Sequence, residues 1–259
     1  MNASPVRPHF EDPPLVEAVF DLFVQSPSRE PAPKFADLER GFFQNFEDYN
    51  SHREEWWQKE TQVQLTPSSQ DGSTFVQAVR TLQGVRKWNE EKREGVLFGP
   101  DVLAFNVLAP YRSFADYGPR LRALLEAYET SVKPSGLVVL GHRYVNQVRV
   151  DVGEGLAPSE LFSLYPKLEP AFARKHPPVQ VQVEMGRFAN GVVSATLALA
   201  VSDPNAAVYS LDLYARTVEL IPLNVPDALE WHQRAHEQIF HTFLASITDV
   251  ARKRFKEKP

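Results

Sequence analysis

From Leu15 to Val24 apolar and polar residues alternate with a period of two. Ala18, Phe20, Leu22 and Val24 fall on one face and Glu17, Val19, Asp21 and Phe23 on the other, which predicts a strand with one mixed face. The segment SPSREPAP breaks that pattern as a proline-punctuated loop. Phe35, Leu38, Phe42, Phe43 and Phe46 then recur at helical spacing, predicting a helix over Lys34–Phe46. Thr61–Leu65, Thr74–Gln83 and Val96–Val107 predict three strands of an antiparallel meander, joined by turns containing SSQDGS and NEEKREG. Phe114, Tyr117, Leu121, Leu124, Leu125 and Tyr128 mark an amphipathic helix that starts at Ser113 and stops before Lys133-Pro134.

The same order then recurs. Leu137–Val150 predicts a strand, and Pro158–Leu168 a helix capped by Ser159 or the residue before it. Val179–Arg187 predicts a strand leading to an Asn-Gly turn. Val192–Val201 and Ala207–Leu220 complete a second three-strand meander through Asp203-Pro204-Asn205. Asp227 opens the longest predicted helix, which runs to about Phe255. The expected fold class is therefore α+β. Two strand, helix, three-strand, helix halves, residues 1–134 and 135–259, form one curved antiparallel sheet with helices on one face, as two units or one continuous domain. Such a layout resembles the saddle of TATA-binding-protein-like folds. The likeness is one of topology and implies no activity.

Composition narrows the class. Hydrophobic residues make up 43% and charged residues 24% of 259 residues, an ordinary globular balance. Cysteine is absent, which removes disulfides and thiolate chemistry and fits a cytoplasmic location. Neither a signal-peptide core nor a membrane span is expected, because the most apolar stretch, Ala195–Val201, is far too short. The net charge of -5 makes nucleic acid an unexpected partner, and the basic runs at Arg86–Arg93 and Arg252–Lys258 are expected to be solvated surface.

No GxxxxGK[ST], GxGxxG or GxSxG motif occurs. His236, Glu237 and His241 imitate a zinc-protease motif, but two histidines five residues apart diverge by about 140° around a helix. No metal and no cofactor is expected. Around the last helix, Leu229, Ile239, Phe240, Phe243, Ile247 and Val250 form an apolar sector that also contains His232 and His236. On the strand Leu137–Val150, His142, Tyr144 and Asn146 share a face with Val138, Leu140, Val148 and Val150, so these polar groups should meet the histidines beneath the helix. They would serve as a network that docks the helix or as a polar pocket. Glu17 and Asp21 on the first leading strand should face Arg143 and Arg149 on the second, locking the halves by ion pairs or leaving Arg143 as an anion receptor. Trp56, Trp57 and Trp88 would supply aromatic surface for a partner or fill a core.

The segment Pro13-Pro14-Leu15-Val16-Glu17-Ala18-Val19, the strand Arg143-Tyr144-Val145-Asn146 and the late Ala235-His236-Glu237 resemble the landmarks of a sporadically distributed bacterial protein family with no established activity. The resemblance implies a layout and a similar length, and no chemistry. The leading expectation is a non-enzymatic binding protein engaging a protein partner or itself. The alternatives are a small-ligand sensor with a pocket between last helix and sheet, and a hydrolase or nuclease using histidine and carboxylate. The expected binding residues are Arg143, Asn146, His142, Tyr144, His232, His236, Glu17 and Asp21.

Overall fold

The computed structural model describes residues 8–25, 35–64, 75–134, 137–166, 179–202 and 205–258, and for 25, 57–64, 75–83 and 152 only the backbone. The predicted SPSREPAP loop, the SSQDGS turn and the end of the Pro158–Leu168 helix lie outside those residues.

Strand β1 (His9–Phe10) is followed by β2 (Leu15–Gln25) and helix α1 (Phe35–Phe43). A meander of β3 (His52–Gln64), β4 (Phe75–Trp88), β5 (Glu94–Gly99) and β6 (Val102–Leu108) leads to α2 (Phe114–Val132). Next come β7 (Leu137–Asp151), the short α3 (Pro158–Leu161), β8 (Gln180–Phe188), β9 (Gly191–Ser202) and β10 (Ala206–Thr217). The chain closes with β11 (Ile221–Pro222), α4 (Val225–Ser246), α5 (Asp249–Arg254) and β12 (Glu257–Lys258).

Ten strands form one antiparallel sheet in the order β3-β4-β5-β6-β2-β7-β10-β9-β8, with β11 pairing the start of β7. The two leading strands, β2 and β7, are neighbours in its middle. β1 and β12 form a separate two-stranded ladder. Alternation along β2 and β7 buries Ala18, Phe20 and Leu22 beside Val138, Leu140, His142, Tyr144, Val148 and Val150, because one set of alternate side chains must share a face. Against that face pack Leu121, Leu124 and Tyr128 of α2 and Trp231, Ala235, Ile239 and Phe243 of α4, in one continuous core. At about 25 cal/mol per Å² of apolar surface removed from water, this face is the main source of stability. Among the described residues no helix is long and apolar enough to cross a membrane.

Three predicted elements differ. Val96–Val107 is two strands, because Gly99-Pro100-Asp101 turns the chain and Gly99 pairs back with Val102. Proline sets the turn dihedral and can donate nothing to a ladder. The first meander therefore has four strands where three were expected. The helix at Pro158 is capped by Ala157, not by Ser159 or Pro158: Pro158 takes the first helical position, and Ala157 N–H donates to Glu160 Oε2 at 2.7 Å. The last helix is split. Ile247 is extended (φ -113°, ψ 154°) and bridges Phe162, and Thr248 caps α5 by accepting from Ala251 N–H at 3.3 Å. Val250, past the break, leaves the predicted apolar sector and is 43% exposed.

Candidate functional site

A cavity of about 380 Å³ lies between α4, the β7 and β10 strands and the segment Pro8–Leu15. Two features of the local sequence open it. Pro13 and Pro14 cannot donate to a ladder, so β2 joins β7 late, with Gln147 N–H donating to Pro14 O and a bulge between Leu15 and Glu17. The extra residue reverses the alternation. Leu15 therefore pairs with Asn146 and turns to the helix side, where it lines the cavity.

Phe10, Leu213, Phe240 and Phe243 give the cavity an apolar wall. Its polar side is a chain of three groups. Tyr111 and Tyr144 share a hydroxyl–hydroxyl bond at 3.0 Å, and Tyr144 Oη lies 2.7 Å from His236 Nδ1. Burial pushes both tyrosine hydroxyls up, Tyr144 well above the ordinary range, so both stay protonated at neutral pH. Two polarities satisfy the chain. Tyr144 donates to a neutral Nδ1 while accepting from Tyr111, or Nδ1–H donates to Tyr144, which donates to Tyr111 and frees the Tyr111 O–H. Phe114 stacks on the His236 ring at 5.7 Å. Asn146, 4% exposed, also reaches the cavity and donates from Nδ2 to Leu211 O at 3.1 Å.

His142 and His232 have a different setting. Both are sealed in the core, at 0% and 1% exposure. His142 Nδ1 donates to the His232 carbonyl at 3.1 Å, and its ring meets Phe20 at 4.6 Å. Burial holds His142 well below its ordinary value and His232 at about 3, so both are neutral. His142 Nε2 and His232 Nδ1 have no hydrogen-bond partner among the described residues. Of the five polar groups expected beneath the last helix, Tyr144, Asn146 and His236 thus meet at the cavity, and the other two pack beside it.

The opposite face of the central strands carries Glu17, Asp21 and Arg143, but not in the expected pairs. Arg143 makes a bidentate pair with Asp212, with Nε donating at 2.8 Å to Oδ1. Arg149 donates to Asp151 at 2.8 Å. Glu17 accepts from Asn106 Nδ2 at 2.7 Å, and Asp21 from the Tyr214 hydroxyl at 3.4 Å. Arg143 sits opposite Val19 of β2 and Tyr214 of β10, so Glu17, Asp21 and Asp212 are all its diagonal neighbours. Its fork is taken by Asp212, while Glu17 and Asp21 bond to Asn106 and Tyr214. Arg143 is consequently no free anion receptor. Desolvation raises Asp21 to about 7, against the lowering effects of Tyr214 and Arg143.

Trp56 is 45% exposed on β3, Trp88 lies over Gly95, and the Trp57 side chain is outside the described residues. Among the described residues no group of three histidines or acids could hold a metal ion. Tyr111, Arg112, Asn106, Asp212 and Tyr214 were not singled out from the sequence. Asp212 and Tyr214 alternate with Leu211 and Leu213 along a strand, a pattern that marks a solvent face but names no partner. Comparisons of the chain with protein-family models, with curated proteins and with solved structures return no match.

Proposed function

We propose that this chain is a small-molecule-binding protein whose site is the cavity beneath α4. The supporting observation is the meeting of an aromatic and aliphatic wall with the Tyr111–Tyr144–His236 chain and Asn146 in about 380 Å³, a size and a mix of apolar lining with few convergent polar groups that suit a small ligand. No described acid lines the cavity beside His236, so a hydrolytic histidine–carboxylate pair draws no support from it. A thermal-shift screen of metabolites and nucleotides tests the proposal. A ligand at a hundredfold its dissociation constant adds about 2.7 kcal/mol, or roughly 5 to 10 °C for a chain of this size. That shift should vanish in Leu15→Trp, which fills the cavity, and shrink in His236→Ala. Hits that keep their full shift in both variants would place the ligand elsewhere.

A partner protein, or a second copy, is the other use supported by an observation. Among the described residues β3 and β8 have no outer neighbour, and each offers an exposed apolar side chain, Trp56 and Val183. Open edges accept an added strand. Light scattering coupled to size exclusion would count against self-association if only a monomer appeared at micromolar concentration.

We take the two halves as copies of one plan with helices on one face, supported by the adjacency of β2 and β7 and by the shared core of α2 and α4. A cytoplasmic location is supported by the cysteine-free composition.

A further inference from the structure

We infer that the ligand of this cavity is a small organic anion: an apolar or aromatic body carrying one carboxylate, its head held at Arg112 and Tyr111. This rests on the cavity being the binding site.

The charge of the lining carries the inference. The protein is acidic overall, at -5, yet no described aspartate or glutamate lines this cavity, and its one fixed charge is the Arg112 guanidinium. Arg112 lies in the connection between β6 and α2, next to Tyr111, and is exposed. The other arginines nearby are engaged: Arg93 donates to Ala109 O at 2.7 Å and Arg120 to Asp48. Arg112 forms no ion pair among the described residues. It also borders a second cavity, of about 500 Å³, whose walls carry the acids Glu91, Glu94 and Asp116. Those acids have their own partners: Glu91 pairs with Arg93 at 3.7 Å, Tyr49 donates to Glu94 at 2.8 Å and Ser113 to Asp116 at 2.6 Å. A guanidinium at the lip of an apolar cavity selects a planar carboxylate through its fork of donors.

The hydrogen-bond chain agrees with that head group. In one of its two polarities Tyr111 has a free O–H, a donor that suits an acceptor-only carboxylate. A neutral amide in the same pose would turn part of its polar edge into donors facing Arg112, which has only donors to offer. The walls opposite, Phe10, Leu213, Phe240 and Phe243, suit the edge or face of an aromatic body.

The test is calorimetry with matched pairs of arylalkanoic acids and their primary amides: 3-phenylpropionate, 4-phenylbutyrate and indole-3-propionate. The titrations use the full chain and its Arg112→Gln and Tyr111→Phe variants. Acids should bind about tenfold more tightly than amides. Arg112→Gln, at an exposed position that leaves the fold intact, should abolish that preference, and Tyr111→Phe should reduce it severalfold. Equal binding of acids and amides to the wild-type chain, or a preference that survives Arg112→Gln, would overturn the anion inference and leave the cavity as a site for neutral ligands. Binding by no member of either series would overturn both.

Discussion

Asp21 and Gly141 face each other across the central strand pair, and the carboxyl group of the first fills the space that a side chain on the second would need. A Cβ at residue 141 would overlap Asp21 and come within 2.5 Å of Tyr214 Oη. Asp21 is 9% exposed, so it has little room to withdraw. Gly141→Ala should therefore cost about 2 to 3 kcal/mol by urea denaturation, in the range of an overpacked core. Most of that cost should disappear in an Asp21→Ala background. A penalty unchanged in the double variant would assign the clash to Tyr214 alone.

The same burial makes Asp21 a source of pH dependence. Its folded value of about 7 lies above its unfolded 3.8, so the folded state binds the extra proton between these limits. Its contribution is fully present below about pH 4 and is lost as pH rises towards 7. Asp21→Asn should gain stability at pH 8 by up to roughly 4 kcal/mol and change little at pH 4. A variant less stable than wild type at pH 8 would show that the ionised carboxylate, held by Tyr214 and Arg143, is the favoured form.

His142 and His232 work in the opposite direction. Both are held below the ordinary 6.5, so the unfolded chain gains their protons first and stability falls as pH drops below about 6.5. Between pH 4 and 6.5 the two histidines and Asp21 oppose each other, the histidines raising stability with pH and Asp21 lowering it. Asp21→Asn should steepen the rise of stability with pH, and His232→Gln should flatten it. A chemical-denaturation series across this range reads both changes, and a slope indifferent to His232→Gln would mean that this ring is charged in the folded protein.

Tyr144→Phe should cost about 1 to 3 kcal/mol, because it leaves both His236 Nδ1 and the Tyr111 hydroxyl without their bond inside a largely apolar site. Tyr111→Phe should cost less, since only one bond ends there. Nitrogen chemical shifts of His236 should report a change of tautomer balance in the first variant. Unchanged shifts would argue that the Tyr144 contact does not set the tautomer.

The sequence carried most of the frame. Alternation located β2 and β7 and assigned their faces, and helical spacing put His232 and His236 under the last helix, because periodicity is a local property. What it missed is non-local. Arg143 is bonded by Asp212 of β10 and not by the acids of β2, and which strand flanks β7 on that side is a matter of strand order. Tyr111 and Arg112 lie in a connection with no period to reveal them. The hairpin at Gly99-Pro100-Asp101 was hidden inside an apolar run, and Ile247-Thr248 ended a helix whose wheel pattern continued past the break. Leu15 reached the cavity through a bulge that no alternation count anticipates.

β2 has one further property. It is made before both of its neighbours, since β6 and β7 lie roughly 80 to 130 residues further along the chain. Until both exist, the row Ala18, Phe20 and Leu22 has nothing to cover it. A sheet completed through its middle in this way closes long loops before its central contacts form, and such high contact order slows folding. During synthesis the nascent chain must carry an uncovered apolar strand past residue 137, which makes this segment the natural point of engagement for a chaperone and the first to aggregate if synthesis stalls.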